Sequence, residues 1–228
     1  MTKNSAATQT KTGARKVAVV DDHPLVRQGI AALIAQEEDL EVCCEAESAH
    51  EALEGMAKCP ADVAVVDLTL KDSSGLELIK DIKVRFPKVA ILVLSMRDEG
   101  FYAERCLRAG AMGYVTKEEP RQRILEGLRK VLAGRIYVSD KMATKVMGKI
   151  ILGGQAGESL VDHLTDRELE IFEFIGRGVA TREIADRLHI SPKTVDSHRE
   201  HIKQKLRIDT ASDLARYAIQ WVQCQKNL

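Results

Sequence analysis

Apolar residues in the first half of the chain come in short β-branched runs, and each run ends in a polar residue. Val17-Ala18-Val19-Val20 leads into Asp21-Asp22, and Val63-Ala64-Val65-Val66 leads into Asp67. Ala90 to Leu94 leads into Ser95, and Gly113-Tyr114-Val115-Thr116 leads into Lys117. Continuous apolar runs of this length read as strands buried on both faces. Strands are predicted near 17–21, 41–46, 62–67, 90–95 and 113–116. Helical spacing fills the gaps, over about 24–36, 48–58, 75–85, 98–109 and 121–133; Val26, Ile30, Leu33 and Ile34 trace the first helix. Gly110 and Gly134 fall where helix C-caps belong. Such alternation predicts an α/β fold, a doubly wound five-stranded parallel sheet.

Beyond this the pattern changes. A helix is predicted from Ser139 to Leu152, then Gly153-Gly154-Gln155-Ala156-Gly157-Glu158-Ser159 reads as a flexible linker. Everything after it is helical. Thr165 with Glu168 forms a capping box for a helix to Arg177, closed by Gly178. Thr181 is expected to cap a short helix to Leu188. Ser191-Pro192 opens a third helix to Leu206 with an N-cap and a proline at N1, and Thr210 opens a fourth to Val222. The division is a disordered tail at 1–15, an α/β domain at 16–135, a linker with a helix at 136–160, and a small all-α domain at 161–228.

Composition narrows the chemistry. The chain has 228 residues, and 34 basic residues balance 34 acidic ones, so bulk charge selects no partner. No apolar stretch is long enough to span a membrane, and the N-terminus lacks the apolar core of a signal peptide, so a cytoplasmic protein is expected. The cysteines at 43, 44, 59, 106 and 224 follow no metal-ligand spacing and read as free buried thiols.

In a doubly wound sheet the carboxyl ends of the strands line the binding crevice. Asp21, Asp22, Asp67, Ser95 and Lys117 therefore converge there. Mg²⁺ takes oxygen ligands and keeps several waters, so Asp21 and Asp22 with a phosphate oxygen suit it. Asp67 is placed as a nucleophile that would form an acyl phosphate. Ser95 and Lys117 could hydrogen-bond and neutralise phosphoryl oxygens.

These residues resemble a response-regulator receiver domain over about residues 16–135. The motifs are VVDDHPLVRQG at 19–29, VVDLTLKDSSGLEL at 65–78, VLSM at 93–96 and GAMGYVTKE at 110–118. The resemblance implies Asp67 as phosphoacceptor for a sensor histidine kinase. It implies Mg²⁺ held by Asp21, Asp22, Asp67 and the backbone carbonyl of Thr69. It makes Ser95 and Tyr114 a coupled switch pair and Lys117 the phosphate-contacting lysine. Receivers usually carry Met-Pro three and four residues after the acceptor; this chain has Leu70-Lys71, which alters the loop beside Asp67.

In the second domain, a helix, a turn at His189-Ile190-Ser191 and a Ser-Pro-capped helix make a helix-turn-helix pattern. Val195, Ile202 and Leu206 should face the core. Residues 191–207 hold five basic and two acidic side chains, a net +3 on a neutral chain, which suits DNA phosphates. Lys193, Thr194, Lys203 and Lys205 are expected to contact phosphates. Asp196, Ser197, Arg199 and Glu200 are expected to project toward base edges, with His198 as a further donor. The segment LTDRELEIFEFIGRGVATREIADRLHISPKTVDSHREHIKQKL at 164–206 resembles the LuxR-type helix-turn-helix of NarL/FixJ response regulators. Relatives often carry lysines where Asp196 and Glu200 stand, so base preference should differ. The stripe of Ala211, Leu214, Ala215, Ala218, Ile219 and Val222 suits packing on its own domain or on a second copy. The resemblance assigns Ala211, Leu214, Ala215 and Ala218 to a homodimer contact.

The joint expectation is a phosphorylation-controlled DNA-binding transcription regulator and not an enzyme. Partners would be a sensor kinase, paired half-sites on double-stranded DNA and a second copy of the chain. A haloacid-dehalogenase-like phosphatase would need an aspartate where Thr69 stands. A dinucleotide-binding enzyme would need GxGxxG where this chain has DDHPLVRQG. A receiver acting as a phosphorylation-independent dimeriser is the remaining alternative.

Overall fold

The computed structural model describes residues 13–70, 74–151 and 159–226. Residues 1–12 of the expected tail, Lys71 in the acceptor loop, Leu152, and the linker up to Glu158 lie outside the described residues. Two compact units are present: residues up to 99 together with 106–139, and residues 100–105 together with 140–228.

The first unit contains a five-stranded, fully parallel sheet. Its strands are β1 (Arg15–Val20), β2 (Leu40–Ala46), β3 (Val63–Val66), β4 (Ala90–Ser95) and β5 (Gly113–Thr116), in the order β2-β1-β3-β4-β5. The alternating helices are α1 (Pro24–Ala35), α2 (Ala49–Lys58), α3 (Gly75–Arg85), α4 (Glu99–Ala109) and α5 (Arg121–Leu132). β3 and β4 are buried along their whole length, as the unbroken apolar runs require. β2, at the edge, is only half-buried. One core cluster joins Val17, Val19, Val63, Val65, Leu92 and Leu94 to Ile30, Ile34 and Leu128.

Three boundaries depart from the expectation. β1 begins at Arg15, inside the stretch read as tail, and Arg15 is anchored through its guanidinium to Asp62 at 3.0 Å. Tyr137, expected in the linker, forms a parallel bridge to Gly113 and sits buried in the sheet core. Helix α6 (Asp140–Ile151), also expected in the linker, groups with the second unit.

The rest of the second unit comprises a 3-10 turn at Leu160–His163, then α7 (Asp166–Gly176), α8 (Thr181–Arg187), α9 (Pro192–Leu206) and α10 (Ala211–Lys226). The expected capping box is formed: Glu168 N–H donates to Thr165 Oγ1, and Thr165 N–H donates to a Glu168 carboxylate oxygen at 2.7 Å. Ser191 caps α9 by accepting from Thr194 N–H. Thr181 does not cap α8; Ala180 holds that position and Thr181 is the first helical residue. The turn between α8 and α9 needs a left-handed residue, which is His189 at φ 52°. Leu169, Phe172, Ile184, Val195, Ile202 and Leu206 build the core.

On the α10 stripe, two of the four residues expected at a dimer contact pack within their own domain. Leu214 and Ala218 are fully buried. A Cβ on Gly176 of α7 would lie 2.4 Å from the Ala218 carbonyl, so the two helices touch backbone to backbone. Only Ala211, Ala215 and Ile219 retain exposed surface on that stripe. Cysteine burial also differs from expectation: all five thiols are free, yet only Cys106 is buried, with Cys43, Cys44 and Cys59 half-buried and Cys224 exposed.

Candidate functional site

The parallel register puts the ends of β1, β3, β4 and β5 at one edge of the sheet. Asp21, Asp67 and Ser95 are buried there, at 1%, 3% and 1% exposure. Lys117 Nζ lies 2.6 Å from Asp21 Oδ2 and 2.6 Å from Asp67 Oδ2. Burial pushes the Asp67 carboxyl above its ordinary range, against the opposing pull of Lys117. Burial works to lower Lys117, but the Asp67 and Asp21 carboxylates outweigh it and hold the ammonium above its usual value.

The other Asp67 oxygen, Oδ1, is buried with no hydrogen-bond partner, and so is Asp22 Oδ1. His23 Nδ1 makes a close polar contact with Asp22 Oδ1 at 2.6 Å. Asp21, Asp22, His23 and Asp67 each bring one ligand atom to within 4.8 Å of the others. Orphaned carboxylate oxygens in a buried acidic cluster fit a hard divalent cation. His23 had no assigned role in the sequence reading, although it directly follows the acidic pair. The exposed Thr69 sits on the adjoining loop, where it bridges Ser74.

Ser95 and Tyr114 converge on one residue. Arg97 N–H donates to Ser95 Oγ at 3.3 Å, and Tyr114 Oη donates to the Arg97 carbonyl at 2.8 Å. Tyr114 is 2% exposed, with its ring turned inward. Gly75 is a further site residue that the sequence reading passed over. A Cβ there would stand 2.0 Å from the Asp67 carbonyl oxygen, so α3 can start against the acceptor's backbone only with glycine. Leu70, in place of the usual methionine, is buried.

On α9, Val195, Ile202 and Leu206 face inward. Opposite them, at i, i+4, i+7 and i+11, stand Lys193, Ser197, Glu200 and Gln204, all exposed. Thr194, Asp196 and His201 flank this arc and are exposed too. Four of the expected contacts have partners or burial within the domain. Arg199 is half-buried and donates to Thr181 Oγ1 at 3.0 Å, bracing α9 on α8. Lys205 Nζ is 2.6 Å from Glu168 Oε2, tied to α7. Lys203 pairs with Glu200 at 3.0 Å. His198 is half-buried, and burial lowers its pKa. Gln204 was missed, though it lies seven residues from Ser197 and four from Glu200.

Among the described residues no helix is long and apolar enough to cross a membrane. Residues 17–129 match the family model for the response regulator receiver domain, and residues 162–218 match that for bacterial regulatory proteins of the luxR family. The oxygen regulatory protein NreC of Staphylococcus carnosus is 35% identical over 209 residues, covering 90% of this chain and 96% of the relative. RcsB of Salmonella enterica serovar Typhimurium, solved bound to promoter rprA with the phosphomimetic BeF₃⁻, matches with a TM-score of 0.64 and 27% identity over 90% of this chain and 98% of that one. A further RcsB structure, described as two dimers on two parallel DNAs, matches with a TM-score of 0.56 and 27% identity, over 90% of this chain and 97% of that one. With a parallel α/β unit carrying a buried acidic crevice and a helix-turn-helix unit later in the sequence, the chain belongs to the NarL/FixJ family of two-component response regulators, built of a receiver domain and a LuxR-type DNA-binding domain.

Proposed function

We propose that Asp67 takes a phosphoryl group from a partner sensor kinase and that its phosphorylation controls binding of α9 to DNA. The observation that carries this is the division of labour on the Asp67 carboxylate. Oδ2 is held by Lys117, while Oδ1 is buried without a partner. In the transfer, an Asp67 oxygen forms the new O–P bond as the N–P bond of a phosphohistidine breaks. The electron pair leaves on the histidine ring.

Asp21, Asp22, Asp67 and the Thr69 carbonyl would hold Mg²⁺, which when bound neutralises phosphoryl charge. Lys117 is positioned to follow the phosphoryl oxygens once Asp67 gives up its charge. Ser95 Oγ accepts from Arg97 N–H and can turn its hydroxyl toward the new group. Since the Tyr114 hydroxyl is bonded to the carbonyl of the same Arg97, a shift at Ser95 reaches Tyr114 through one peptide unit. The phosphoryl adds a charge of about −1.5 to −2, enough to bias a two-state loop.

On the DNA side, Lys193, Ser197, Glu200 and Gln204 form the arc offered to the major groove. Thr194 and Lys193 at the helix start suit phosphate contacts. Glu200 or Asp196 can accept from cytosine N4, and Gln204 can pair with adenine. Arg199, Lys203 and Lys205 support the helix by their contacts within the domain. A two-fold dimer on paired half-sites is the expected active form, and RcsB has been solved as dimers on DNA. In this chain the exposed Ala211 and Ile219 and the half-buried Ala215 are the part of α10 left for it. Such a regulator works in the cytoplasm, beside its DNA.

The test is acetyl phosphate labelling with Mg²⁺, mapped by mass, alongside binding to selected DNA. Wild type should gain one phosphoryl on Asp67 and bind paired half-sites more tightly, whereas Asp67→Asn should do neither. Undiminished labelling of Asp67→Asn would overturn the assignment.

A further inference from the structure

We propose that Glu168, His198 and His201 form a binding site for a divalent transition metal of the zinc type, spanning α7 and α9. It is separate from the receiver's acidic pocket and independent of the phosphoryl chemistry. Each of the three side chains brings one ligand atom to within 4.8 Å of the other two. His198 and His201 are three residues apart on α9, so both project from one side of the helix. Their rings stand nearly perpendicular, at 87°, with centroids 6.5 Å apart.

A second observation singles out the site. His198 Nδ1 is cut off from solvent and has no hydrogen-bond partner. A buried ring nitrogen in that state carries a desolvation cost that only a proton donor or a metal can offset. Glu168 supplies the anion. Its two hydrogen bonds, from Thr165 N–H and Lys205 Nζ, both end on Oε2. Oε1 carries neither of them and remains as a ligand oxygen. One carboxylate and two imidazoles suit Zn²⁺ and its neighbours, and poorly suit Mg²⁺.

Closing the set around a metal with bonds of about 2.0–2.1 Å needs ligand separations near 3.3 Å. Side-chain rotation supplies this, because His201 is exposed and can turn inward. The Lys205 ammonium, about a third exposed at the Glu168 carboxylate, can swing into solvent as the metal replaces its charge. Loading would draw His201 off the exposed arc of α9 and release Lys205 toward it. Metal occupancy would therefore change the side chains that flank the DNA-facing arc without removing any member of it.

The test is a titration of the full chain with Zn²⁺ against a chromophoric chelator, in excess Mg²⁺ so that the oxygen-only pocket is occupied. One Zn²⁺ should bind, and Co²⁺ should give the visible absorption of a low-coordinate site with nitrogen ligands. His201→Gln replaces an exposed side chain and should fold normally by circular dichroism. It should weaken Zn²⁺ by about tenfold or more, since even outer-shell changes cost 10–100-fold, and His198→Gln should do the same. Equal affinity in wild type and His201→Gln would overturn the proposal. So would a bound Zn²⁺ lost only on Asp21→Asn.

Discussion

Replacing Lys117 with methionine removes the one cation between two buried carboxylates and keeps nearly the same volume. Lys117 touches Asp21 and Asp67 at 2.6 Å each, and all three side chains are under a tenth exposed. Removing one partner of a buried pair usually costs about 3–5 kcal/mol. A ceiling follows from protonation, because the variant can escape by neutralising Asp67. For a carboxyl with an ordinary pKa near 3.9, staying protonated at pH 7 costs about 4 kcal/mol, at 1.36 kcal/mol per pH unit. The expected loss is therefore about 3–4 kcal/mol at pH 7. At pH 5 the same ceiling falls to about 1.5 kcal/mol. The sign follows from linkage. A carboxyl raised above its unfolded value destabilises the fold above that value, and the penalty disappears as pH falls. Mg²⁺ should recover much of the loss, since a cation that binds only the folded state stabilises it by mass action. Hydrogen exchange read on peptides covering β1 and β3 isolates the receiver from the second domain. A deficit equal at pH 5 and pH 7, or untouched by Mg²⁺, would refute the view that these two carboxylates are balanced mainly by Lys117.

Other outcomes can be checked separately. Gly75→Ala should destabilise the receiver and slow acetyl phosphate labelling of Asp67, because the new methyl would strike the acceptor's own carbonyl and push the start of α3 away; unchanged stability together with an unchanged rate by mass mapping would count against that contact. Glu168 is raised by burial, yet Lys205 and the capping bonds outweigh this and hold it below its ordinary range. Its contribution should be present above the unfolded carboxylate value and fade as pH falls through the lower folded one, so Glu168→Gln should flatten the acid limb of urea melts followed by Trp221 fluorescence. Leu214→Glu buries a charge against α7 and should unfold the second domain by circular dichroism, whereas Ile219→Glu should stay folded and weaken binding to paired half-sites only. In a randomised-site selection, Gln204→Ala should relax preference at one base position, at about 1–3 kcal/mol, while Arg199→Ala should weaken binding on every sequence alike.

The receiver site was legible because burial and chemistry coincide there. An apolar run that stops at a carboxylate marks the place where a buried strand reaches a crevice, and the register brings four such stops together. Nothing comparable marks the faces of a small helical domain. The α10 stripe is equally compatible with packing at home and packing on a copy. What distinguishes them is Gly176, whose missing Cβ lets α10 lie against α7 backbone to backbone, and a glycine inside a helical run does not announce its partner. Arg199 is different, because the information was present in the periodicity. It is four residues after Val195 and three before Ile202, so it shares the flank of the core face and finds Thr181 there. The same count sends Gln204 to the middle of the exposed arc with Ser197 and Glu200. Charge had drawn attention to Arg199, but helical phase is what decides which side chain can reach a groove. On a helix whose core positions are Val195, Ile202 and Leu206, a basic residue beside them acts first as a brace. Under the proposed function the readers would be the polar side chains on the far side, and their composition of Ser, Glu and Gln would make specificity depend on hydrogen-bond pattern more than on charge.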